Sequence, residues 1–130
     1  MRLLAILAVP VLVLALTGCG VGPATNQEKV SKTSVTYLKA LARGDAATAC
    51  TQLTRRAKGS ACEAVLTKRL SHLDADTLRS AADDSMDIAV HGTVATAGLA
   101  EPEGASFVLA KIGDQWRIDS GYTVSPGTNT

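Results

Sequence analysis

The chain has 130 residues and a formal net charge of +1, which leaves room for one domain once a targeting segment is set aside. Tyr37, Phe107, Trp116 and Tyr122 are its only aromatic residues, so burial must come mainly from Ala, Val, Leu and Ile. Basic and acidic residues nearly balance, no dense basic run stands out, and Arg55, Arg56 and Lys58, which alone cluster, have no aromatic neighbour; they make a poor nucleic-acid patch, and no nucleic-acid partner is expected.

The N-terminus carries the strongest signal. Arg2 precedes an apolar run from Leu3 to Leu16, broken only by Pro10. Such a run is short for a membrane span, which needs about 20 residues, and suits a secretory leader over residues 1–18. It ends in Leu16-Thr17-Gly18-Cys19. These four residues resemble the lipobox of bacterial lipoproteins. The resemblance implies cleavage between Gly18 and Cys19, a diacylglyceryl thioether on Cys19 and an extracytoplasmic, membrane-anchored protein. Acyl chains contribute about 0.8 kcal/mol per buried methylene, and two of them anchor stably without a spanning helix. Residues 19–26 then read as a Gly- and Pro-containing tether, residues 27–122 as the domain, and residues 123–130 as a frayed tail.

Without the leader, 12 basic and 12 acidic side chains remain, unevenly placed. From Glu28 to His72 there are nine basic and three acidic residues; from Leu73 to Thr130 the numbers reverse. This describes either a dipolar molecule or two complementary layers of one domain.

In chain order, Val30, Ser34, Tyr37, Leu38 and Leu41 recur at helical spacing and predict a first helix over about Gln27 to Arg43. Gly44 supplies a stop and Asp45 an N-cap for a second helix, Ala46 to Leu53. Residues 54–59 are polar and basic and read as a loop. Ser60 and Glu63 have capping-box spacing and predict a third helix over Ala61 to Leu70. Cys50 and Cys62 are the cysteines left over once Cys19 is modified. In an oxidising compartment such a pair reads as a disulfide joining the second and third helices. The period then changes from helical to alternating. Strands are expected over Met86 to His91, Thr93 to Leu99, Ala105 to Ile112 and Gln115 to Tyr122. A Gly113-Asp114 hairpin turn joins the last two. Helices followed by a meander predict an α+β domain, with N-terminal helices packed on one face of a curved antiparallel sheet.

Two segments, Val35-Thr36-Tyr37-Leu38-Lys39-Ala40-Leu41 with Arg43-Gly44-Asp45 and Ala49-Cys50, and Lys111-Ile112-Gly113-Asp114-Gln115-Trp116-Arg117-Ile118, are similar to small actinobacterial lipoproteins. Those proteins belong to the nuclear-transport-factor-two-like superfamily of cystatin-like α+β cones. The resemblance spans about Glu28 to Tyr122. It implies a cone in which helices and sheet can enclose a pocket; some members are isomerases or dehydratases.

The chain offers no Ser/His/Asp arrangement, phosphate loop or dinucleotide fingerprint, so no catalytic residue, metal ligand or cofactor is assigned. His72 reads as a partner of a helix C-terminus, His91 as exposed, and Asp83, Asp84 and Asp87 as solvated loop residues. Tyr37 beside Asp87 or Asp119 would form an acid–base pair of isomerase type. Tyr37, Leu41, Phe107 and Trp116 are the large side chains on the expected inward faces; they either line a pocket or fill the core. The expectation is a non-enzymatic, membrane-tethered module for an unidentified small ligand or protein. A small pocket enzyme and a structural assembly domain are the alternatives.

Overall fold

A computed structural model of the chain describes residues 24–124. The leader, Gly18, Cys19 and the tail beyond Val124 lie outside these residues. The element order is α1 (Asn26–Ala42), α2 (Ala46–Thr51), α3 (Arg55–Lys58), α4 (Cys62–Leu70), α5 (Ala75–Asp83), β1 (Asp87–His91), β2 (Val94–Gly98), β3 (Ser106–Ile112) and β4 (Gln115–Gly121). Five helices thus pack against a four-stranded antiparallel meander of order β1-β2-β3-β4, the α+β class that the element order implies. No helix among the described residues is long and apolar enough to cross a membrane.

The longest helix starts earlier than the hydrophobic period suggests. Thr25 caps it by accepting a hydrogen bond from the Glu28 backbone N–H, 3.1 Å, and donates its hydroxyl to the Glu28 carboxylate. The last residues assigned to the tether therefore belong to the domain. At its other end the Asp45 N–H bonds Ala40 O at 2.8 Å and the Gly44 N–H bonds Leu41 O at 3.0 Å. This is a Schellman closure, with Gly44 in the left-handed region at φ 75°. Asp45 accepts from the Thr48 N–H and caps α2, as expected.

Three local expectations are corrected. The basic loop at 54–59 contains the short helix α3, because the Thr54 hydroxyl accepts from the Ala57 N–H. The helix α4 has Ala61 at its N-cap and no side-chain cap, so Ser60 and Glu63 do not form a capping box. The segment before the first strand holds a fifth helix, α5, capped by Asp74 through the Thr77 N–H. Its apolar stripe is Leu78, Ala81 and Ala82, all buried and at the i, i+3, i+4 spacing of one helix face.

The inner sheet face is built from Ala95, Ala97, Phe107, Leu109, Trp116 and Ile118, all buried, in a register that places Ala97 opposite Phe107 and Leu109 between Ala95 and Ile118. Small residues on β2 make room for large ones on β3 and β4. Pairing slips between Val108 and Leu109: Val108 faces Ser120 while Leu109 faces Ile118, so Asp119 is the extra residue of a bulge. The outer edge of β4 is covered by the link between α2 and α3. The Thr54 N–H donates to Ile118 O and the Ile118 N–H donates to Gln52 O, at 2.9 and 2.8 Å. That strap pairs the middle of the sheet edge at Ile118.

The Sγ atoms of Cys50 and Cys62 lie at disulfide distance, 2.00 Å, joining α2 to the start of α4. The tail also starts later than expected. Thr123 and Val124 fold back onto the domain, and Val124 is buried.

Candidate functional site

The four candidate pocket residues do not share one cavity among the described residues. Tyr37, Leu41 and Phe107 are enclosed in the core, Tyr37 and Phe107 with no exposed surface. Their aromatic rings meet edge to face, centroids 5.5 Å apart and planes at 85°, a favourable arrangement of ring quadrupoles. The void that touches Tyr37 measures about 20 Å³ and is bounded by Leu53, Leu66, Arg69 and Thr123, among others. That is room for one water molecule and far below the roughly 300 Å³ of a small-molecule site.

The Tyr37 hydroxyl shares a 2.9 Å hydrogen bond with the Thr123 hydroxyl, and Arg69 donates to the Thr123 carbonyl at 2.8 Å. Thr123 itself sits in the left-handed region at φ 65°, which is strained for a β-branched residue. Its contacts to Tyr37 and Arg69 hold it there. Burial pushes the Tyr37 phenol up to about 12, against smaller opposing effects of Thr123 and Arg69. Its hydrogen-bond partner is a hydroxyl, not a carboxylate. Asp87 is exposed at the start of β1.

Asp119 is occupied elsewhere. Its carboxylate accepts from the Thr54 hydroxyl at 2.7 Å and from the Arg56 Nε at 3.3 Å, and it forms an ion pair with the Arg56 guanidinium. The Arg56 hydrogen bond, and after burial's opposing effect the Thr54 hydrogen bond and Arg56 charge, hold the Asp119 carboxyl below the usual range. The basic cluster of Arg55, Arg56 and Lys58 is therefore partly neutralised. Its partners Thr54 and Arg56 stand 65 and 63 positions away, so this pairing is not legible from the sequence. His72 and His91 are exposed, and no group of three potential metal ligands converges among the described residues.

Trp116 has a different setting. Its indole N–H donates to Asn26 Oδ1 at 3.2 Å, and its backbone carbonyl accepts from the Thr33 hydroxyl at 3.0 Å. These bonds fasten β4 beneath the first half of α1. Trp116 thereby backs an open surface groove of about 340 Å³ whose walls include Lys29, Lys32, Asp114, Gln115 and Arg117. Arg117 is steadied by the Trp116 carbonyl and the Gln115 side chain. Three cations against one carboxylate give the groove a positive character. The signal was present in the sequence as Lys29 and Lys32 beside the Gln115-Trp116-Arg117 segment, but it required the pairing of α1 with β4 to become a site. A second depression, about 300 Å³, lies over the disulfide and is lined by residues from Ala47 to Thr51 and Lys58 to Ala64.

No protein-family model, curated protein or solved structure matches the chain.

Proposed function

We propose that the protein is a lipid-anchored, extracytoplasmic interaction module that engages its partner at its surface rather than inside an enclosed pocket. The observation that carries this reading is the contrast in volume: about 20 Å³ beside Tyr37, against about 340 Å³ in the groove over Trp116. The Leu16-Thr17-Gly18-Cys19 segment supports the anchor. The hydroxyl pairing of Tyr37 with Thr123 supports a structural role for the tyrosine rather than a proton-transfer one.

Metabolic labelling with a palmitate analogue tests the anchor. The wild-type chain should take up label and partition with membranes, and Cys19→Ser should lose both. Undiminished labelling of Cys19→Ser overturns the anchor. Turnover of a dehydratable or ketosteroid-like substrate, abolished by Tyr37→Phe in a folded protein, would replace the binding reading by an enzymatic one.

A further inference from the structure

We propose that the groove between the first half of α1 and the β3–β4 turn docks onto the anionic headgroups of the bilayer that holds the chain. This inference rests on the anchoring through Cys19 proposed above.

The residues that line the groove are suited to phosphate. Lys29, Lys32 and Arg117 bring positive charge to it, and Gln115 and Thr36 add hydrogen-bonding side chains; Asp114 is the single carboxylate. Among the described residues only Arg43, Arg56 and Arg79 form ion pairs, so the charges of Lys29, Lys32 and Arg117, like those of the other lysines and arginines, are not neutralised within the molecule. Lys29 closes the first turn of α1, where the helix dipole disfavours a cation. Fold stability therefore does not account for a lysine at that position, and an external anion does. The groove is also rigidly founded, because the Trp116–Asn26 and Thr33–Trp116 hydrogen bonds fix α1 to β4 on either side of it.

Chain length selects the bilayer as the source of the anion. Thr25, the N-cap of α1, stands six positions after Cys19. A chain reaches at most about 3.5 Å per residue, so the first turn of α1 cannot lie more than roughly 20 Å from the acylated cysteine. The cationic groove is thus held close to the headgroups. Each cation brought to an anionic surface strengthens association by roughly fivefold, and salt weakens the effect.

The test is lysine footprinting on the complete lipidated protein in nanodiscs, either all phosphatidylcholine or containing a third phosphatidylglycerol. Acylation of Lys29 and Lys32 should slow severalfold in the anionic discs alone and recover in 0.5 M salt. Lys58 and Lys68, which do not line this groove, serve as internal controls. Arg117→Gln, which leaves both reporter lysines in place, should reduce the protection. Equal reactivity in the two bilayers overturns the docking, as does protection that persists in high salt or in detergent micelles, where self-association would be the cause. The same digest reports the mass of the Cys19 peptide. An unmodified Cys19 overturns the anchor, whereas a lipidated Cys19 with unprotected Lys29 and Lys32 overturns the docking alone.

Discussion

Thr54 uses both capacities of its hydroxyl. It accepts from the Ala57 N–H to start α3 and donates to Asp119 to fix the bulge in β4. With 6% of its surface exposed, Thr54→Val keeps the shape and leaves a buried amide and a carboxylate each short of a partner. The expected loss is about 1–3 kcal/mol, measured by urea unfolding. Asp119 itself makes stability depend on acid. Its folded carboxyl is held below its ordinary value of 3.8, so its contribution is present above that pH and fades as the pH falls through the lower folded value. The urea midpoint should therefore drop below about pH 4, and Asp119→Asn should flatten that drop while lowering stability at neutral pH. An unchanged slope in the variant would show that other carboxylates, such as the caps Asp45 and Asp74, govern the acid limb; both are also held low by their cap hydrogen bonds. Gly121 marks the other residue without latitude. A Cβ there would come within 2.2 Å of Ser106 O, and its φ of 127° suits only glycine. Gly121→Ala should cost about 2 kcal/mol or more and lower the thermal midpoint by several degrees.

At the scale of elements, Cys50 and Cys62, at disulfide distance, join α2 to α4 across a separation of 12 positions that contains α3. Neither α2, of six residues, nor α3, of four, would persist as an isolated helix. Replacing Cys50 and Cys62 together by Ala should cost about 3 kcal/mol, and a non-reducing peptide map should recover the two cysteines in one linked fragment. Full alkylation of both without reductant would refute the pairing. What the sequence discloses about these elements follows their hydrophobic period. The first helix, the cysteine staple and all four strands were legible, because Val30, Tyr37 and Leu41, or Phe107, Leu109, Trp116 and Ile118, repeat at the spacing of one face. The helix α5 was legible too, in the i, i+3, i+4 stripe of Leu78, Ala81 and Ala82 and the N-cap Asp74, although the sequence reading assigns no helix there. The helix α3 escaped notice because four residues are too few to show a period. The groove was half legible: its cations stand in the sequence, but the hydrogen bond from Trp116 to Asn26 that makes its floor spans 90 positions.

Across the whole molecule, the buried apolar side chains form one cluster that runs from Val30 in α1 through Leu66 and Leu78 to Phe107, Trp116 and Val124. Every element contributes to it or packs against it, and α1 touches α2, α5 and the strands β1, β2 and β4. No element can leave without opening the core of the others, so the domain should unfold as one unit. Trp116 is the only tryptophan and is 1% exposed, which makes it a single-site reporter of the helix–sheet contact. Its emission should move to the red over the same urea range in which the helical circular dichroism disappears, with one midpoint for both. The alkaline limit belongs to the same core. Tyr37 ionises only near pH 12 while folded, against about 10 in an unfolded chain. Its burial therefore contributes stability that is intact below pH 10 and is lost as the pH climbs toward 12. Tyr37→Phe should keep the single transition, weaken it by about 1 kcal/mol through the lost Thr123 bond, and extend the alkaline plateau. Two separated midpoints, with helicity outlasting the Trp116 signal, would mean that the helical layer is a stable body without the sheet, and that the groove between them opens before the protein unfolds.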